Sequence, residues 1–130
     1  TMLSMLCGTP YFLEDDSIED TILFLEDIGE APYKLDRILQ QWRLSGLLSR
    51  IKGLMLGTFT DCEGDEDEAD YDIGYEVLRY MEENRKRHLP DPFVCYVPTG
   101  HGTPHQTLPL GGHVHFRYIS NTIVLSPYTK

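Results

Sequence analysis

Cysteine is scarce in this chain, and Cys7, Cys62 and Cys95 form no CxxC pair. That argues against both a disulfide framework and a thiolate zinc site, and it fits a reducing compartment. Basic residues are few as well, 11 Lys and Arg against 21 Asp and Glu, for a formal net charge of -10. A phosphate backbone is bound by clustered Lys and Arg, so nucleic acid is not an expected partner. Acidity of this kind favours solubility without choosing a partner. No apolar run reaches membrane-spanning length, and the opening Thr1–Cys7 lacks a basic n-region, a long h-region and a cleavage site. Neither a targeting signal nor a membrane partner is expected. An evident nucleophile is missing too: Ser4, Ser17, Ser45, Ser49, Ser120 and Ser126 all lie outside a G-x-S-x-G elbow or another strained strand-to-helix turn.

What is present suffices for one core. Apolar residues make up 41% of 130 and aromatics 11%, and a domain of this size buries roughly two thirds of the surface its unfolded chain exposes. Thr1–Cys7 reads as a helix stopped by Gly8-Thr9-Pro10, so the chain opens inside an element, as if cut from a longer protein. The apolar run Thr21–Leu25 is too short for a helix and is expected to be a strand covered on both faces, ending in Glu26-Asp27-Ile28-Gly29-Glu30. Pro32 suits a first helical turn, Leu35, Ile38, Leu39 and Trp42 recur at helical spacing, and Gly46 suits the C-terminal cap. Gly53–Phe59 is a second strand, leading into an acidic loop over Asp61–Asp70. Ile73, Val77, Tyr80 and Met81 mark a second helix, predicted to end near Arg85–His88, where basic side chains complement its dipole. Phe93–Val97 is a third strand closed by Pro98, Thr99–Gly112 a Gly- and Pro-punctuated loop, and His113–Tyr118 with Thr122–Leu125 a terminal hairpin. Three strands alternating with two main helices, then an antiparallel pair, predict a mixed-sheet α/β domain spanning 1–130.

Four constellations could carry chemistry. Glu26 closes a strand and a histidine follows a later one; sites in open α/β sheets form beyond strand carboxyl ends, where a carboxylate can orient an imidazole base. Equally, Glu26, Asp27 and Glu30 could only solvate a loop and the start of the next helix. His101 stands between Gly100 and Gly102, which would let the backbone approach a substrate closely, although an exposed loop histidine looks the same. His101, His105, His113 and His115 could hold zinc with a carboxylate, yet the first pair sits in a Pro-containing loop without HExxH, and a strand HxH is commonly a surface or packing pair. The acidic run is no calcium loop: counting from Asp61, its glycine, Gly64, is fourth where the sixth is required. A solvated, mobile loop with at most weak cation binding is the plainer reading, and a binding module whose acidic loop docks a basic partner is an alternative.

Taken in order, Ile22–Glu30, Tyr33-x-Leu35-Asp36-Arg37-Ile38-Leu39, Ser45-Gly46, Ile51–Asp61, and Gly100-His101 followed by Thr107-Leu108-Pro109-Leu110-Gly111 resemble the C-terminal domain of the LD-carboxypeptidase (muramoyltetrapeptide carboxypeptidase) serine peptidases. The resemblance implies a swivelling β/β/α-type domain in which Glu26 and His101 complete a Ser-His-Glu triad. It also implies that serine and oxyanion hole belong to an N-terminal domain absent from this chain, with residues 1–10 a remnant of the junction. It further implies no cofactor and no metal, a cytoplasmic homodimer, and removal of terminal D-Ala from murein tetrapeptides during cell-wall recycling, with the isolated chain inactive. A microcin C-cleaving immunity peptidase is the related alternative within the family, and a zinc-binding hydrolase or binding module the alternative outside it. The family pattern assigns no role to the acidic insertion after Asp61 or to the second histidine, His105.

Overall fold

A computed structural model describes residues 2–12, 16–64, 72–83, 90–119 and 122–127. The fold is α/β, built on a parallel sheet of three strands in the order β1-β2-β3: β1 is Ile22–Ile28, β2 Gly53–Thr60 and β3 Phe93–Val94. Helix α1 (Pro32–Leu44) and a short α2 (Leu47–Arg50) connect β1 to β2, and α3 (Ile73–Glu83) lies between β2 and β3. The predicted hairpin is present as β4 (Val114–Ile119) and β5 (Thr122–Pro127), paired from Val114–Pro127 to Ile119–Thr122. It forms its own two-stranded sheet instead of joining the parallel one.

The apolar spacing of α1 does what it predicts: Pro32, Leu35, Leu39 and Trp42 are buried, with Pro32 in the first turn. Gly46 ends the helix in the left-handed region at φ 80°, and its N–H donates to the Arg43 carbonyl. The opening segment is a 3-10 helix over Met2–Leu6, and the Thr9 hydroxyl closes onto the Leu6 carbonyl at 2.7 Å. The strand expected to be covered on both faces is better matched by β2, whose first five residues are all buried. In β1 only Leu23 is fully buried. The core gathers Leu23, Leu54 and Leu56 from the sheet with Leu39, Trp42, Leu47, Leu48, Ile51 and Val77 from the helices and their connection. Arg43 of α1 lies over the Tyr80 ring of α3, 5.5 Å from its centroid. Most of the predicted acidic loop, and the basic end predicted for α3, fall outside the described residues.

Candidate active site

The site is at the carboxyl end of β2, where the sheet loses its regularity. Leu25 pairs with Leu56 and Asp27 with Phe59, so β2 advances three residues while β1 advances two. The extra residue makes a bulge opposite Glu26, and bulges bend strands and re-aim side chains. On the other side, Met55 pairs with Val94 but Thr58 bridges to Gly100, so β2 advances three residues while its neighbour advances six. The third strand is therefore shorter than the apolar run Phe93–Val97 predicts. Tyr96 turns into the left-handed region at φ 59°, Val97 reaches back to donate its N–H to the Leu56 carbonyl, and the Thr99 carbonyl then accepts the Thr58 N–H at 2.9 Å.

This detour delivers Gly100-His101-Gly102 onto the ends of β1 and β2. A Cβ on Gly100, whose φ is +125°, would stand 2.9 Å from Glu26 Oε2 and 3.1 Å from Glu26 Cβ. One on Gly102 would stand 2.6 Å from Thr58 Cγ2. The flanking glycines thus serve the approach of the loop to the protein's own strands. The outcome is a contact between residues 75 apart in sequence: the Nδ1 of His101 lies 2.7 Å from Glu26 Oε2. The Glu26 side chain is 28% exposed and that of His101 53%, so the pair stands at the surface with the carboxylate the less exposed partner. A neutral imidazole that donates Nδ1–H to a carboxylate carries its lone pair on Nε2, and so can accept a proton there.

His105 turns its Nδ1 to the Gly100 carbonyl at 3.0 Å, while His115 lies in β4, in the second sheet, with His113 just before it. Among the described residues no group of three or more His, Cys, Asp or Glu is placed to hold a metal ion. Burial pushes the thiols of Cys62 and Cys95 above their ordinary pKa, the opposite of what an activated nucleophile needs.

A cleft of about 390 Å³ is bounded by Gly57, Thr58, Asp72, Tyr96 and, from the histidine loop, Thr103 and Pro104; neither Glu26 nor His101 lines it. Asp72 caps α3 by accepting the Tyr75 N–H at 2.8 Å, and it accepts the Tyr96 hydroxyl at 2.6 Å. That hydroxyl holds the Asp72 carboxyl below its ordinary pKa, and the carboxylate in turn pushes Tyr96 up to about 12. Sequence reasoning does not find this pair. An aspartate just before the apolar stripe of α3 is a visible cap signal, but its partner Tyr96 reads simply as a strand residue.

An α/β fold that brings a histidine and a carboxylate into contact at strand carboxyl ends belongs to a broad class of arrangements able to support acid–base chemistry. The particular family follows from comparison. Residues 1–116 match the model of the LD-carboxypeptidase C-terminal domain, and the chain belongs to that family. A Synechocystis sp. relative bearing a carboxypeptidase name is 40% identical over 85% of this chain and 34% of its own length. The murein tetrapeptide carboxypeptidase of Pseudomonas aeruginosa is 32% identical over 85% of this chain and 33% of its own. The crystal structure of muramoyltetrapeptide carboxypeptidase from Oxalobacter formigenes superposes with a TM-score of 0.73 at 33% identity, covering 95% of this chain and 41% of that one. The chain thus spans about a third of the length of the curated relatives it matches.

Proposed function

We propose that this chain is the part of a serine LD-carboxypeptidase that bears the base and its orienting carboxylate, acting on murein tetrapeptides to release terminal D-Ala. The observation that carries the reading is the 2.7 Å contact between His101 Nδ1 and Glu26 Oε2 at the protein surface. In this mechanism His101 Nε2 takes the proton of a serine supplied by a preceding domain, and Glu26 holds the tautomer and stabilises the imidazolium. An acyl-enzyme forms as D-Ala leaves with the proton returned by His101, and water then hydrolyses it by the same base. The chain alone is inactive on this reading, because the nucleophile lies elsewhere. The same reading carries a cytoplasmic homodimer working in cell-wall recycling. The names of the relatives, murein and muramoyltetrapeptide carboxypeptidase, support the substrate.

The test uses a full-length protein that contains this chain. His101→Ala and Glu26→Ala are each expected to lower D-Ala release from a murein tetrapeptide by at least about a hundredfold. Substantial activity retained in either variant would sink the assignment.

A further inference from the structure

His105 stands four residues beyond His101 in the same loop, and its ring N–H donates to the Gly100 carbonyl at 3.0 Å. Gly100 is no ordinary acceptor: it bridges to Thr58 of β2, packs against Glu26 and immediately precedes His101. Its carbonyl belongs to the rigid peptide unit that joins it to His101, so whatever fixes the carbonyl also fixes the direction in which the next residue leaves the strand. Glycine has the widest backbone freedom of any residue, and at φ +125° this one needs a restraint from outside. The loop supplies it by folding back. The Gln106 N–H donates to the Pro98 carbonyl at 2.7 Å, and the Thr99 hydroxyl donates to the Gln106 carbonyl at 2.8 Å. Residues 105 and 106 thereby brace residues 98 to 100 from one side, while β2 holds them from the other.

From this we infer that His105 is a positioning residue, whose Nδ1–H holds the Gly100–His101 peptide so that the His101 imidazole faces Glu26. The inference rests on the reading of His101 and Glu26 given above. His105 acts only through Gly100 and touches no reacting group. Asparagine is the informative replacement, because its Nδ2 lies as many bonds from Cα as the Nδ1 of histidine and can donate to the same carbonyl. Alanine cannot, and at an exposed position it leaves the core untouched.

The experiment is long-range proton–nitrogen NMR on a histidine-labelled full-length protein that contains this chain, which reports the nitrogen that carries the proton in each imidazole. The expected result is an Nδ1–H tautomer for His101, a mixture of tautomers in His105→Ala with amide dispersion intact, and recovery in His105→Asn. An unaltered His101 in His105→Ala overturns the positioning role, as does a His105→Asn protein as disturbed as the alanine variant. Glu26→Ala separates the two levels of the argument. If it leaves the His101 tautomer unchanged, the Glu26–His101 reading itself fails; if it responds while His105→Ala stays silent, only the role of His105 fails. In a full-length enzyme, His105→Ala is expected to lower kcat roughly fivefold at constant KM, the loss expected from one hydrogen bond, and His105→Asn to restore it. A loss confined to KM would count against positioning.

Discussion

Replacing Gly100 by alanine tests how the site is assembled. The residue sits at φ +125°, far from any well that an L side chain prefers, and such a conformation costs about 1–3 kcal/mol. The added methyl would also stand 2.9 Å from Glu26 Oε2 and 3.2 Å from the Thr58 carbonyl oxygen, so the carboxylate or the loop must give way. Either movement breaks the 2.7 Å contact with His101. A domain of this size loses roughly 3–5 °C of Tm per kcal/mol, so Gly100→Ala is expected to lower Tm by roughly 5–15 °C and to disturb the His101 tautomer. Gly111→Ala is the control: φ there is +72° and a Cβ meets nothing within 4 Å. It should cost only about 1–2 kcal/mol of backbone strain and leave His101 as it was. Calorimetry with imidazole NMR on both variants decides the matter. Equal Tm losses with an unaltered His101 in both would refute the idea that Gly100 exists to let the loop close on Glu26.

Two further predictions concern the core and the cleft. Leu54 is wholly buried at the centre of the sheet, and Leu54→Ala is expected to cost about 2–5 kcal/mol, read as a lower urea midpoint with an unchanged m-value. Tyr96, raised from 10.0 to about 12, keeps its proton in the folded state after the unfolded chain has lost it. Its contribution is therefore fully present below pH 10 and disappears as pH rises through about 12. Tyr96→Phe should flatten stability over that window and remove from an ultraviolet titration a tyrosine that ionises at about 12. Asp72, whose pKa is lowered by the same hydrogen bond, gives stability that is present above the ordinary carboxylate range and lost as pH falls through its depressed value. Asp72→Asn, which keeps a capping side chain, should flatten that acid limb.

Much of the fold is legible because burial and helical period are written directly in the chain. Leu35, Leu39 and Trp42 mark the buried face of α1, and Gly46 marks its end. Periodicity reports burial and not hydrogen bonding, and this explains the one strand drawn too long. Val97 is buried, as the apolar run predicts, but it reaches β2 by a single backbone bond after Tyr96 has turned aside. The four-residue α2 is barely one turn, too short for a helical period to repeat. Glu26 and His101 are visible singly, as a carboxylate ending a strand and a histidine between glycines. Their meeting across 75 residues is not, because no local pattern encodes a tertiary contact; there the family resemblance carried the argument.

The irregularity of the sheet is what makes that meeting possible. β2 slips against β1 between Leu25 and Asp27, and the neighbouring chain slips against β2 between Val94 and Gly100. Both slips fall at Gly57 and Thr58. A Cβ on Gly57 would lie 2.4 Å from the Thr99 carbonyl oxygen and 2.7 Å from the Phe24 ring, so only glycine lets the returning chain sit this low against β2. Regular ladders would have continued the third strand past Cys95 and held its side chains in simple alternation. With both ladders broken at one level, Glu26 is re-aimed from one side and the His101 loop descends from the other. In the sequence, all of this shows as one glycine inside an apolar strand, the mark of a bulge or a close backbone approach, and here it is both.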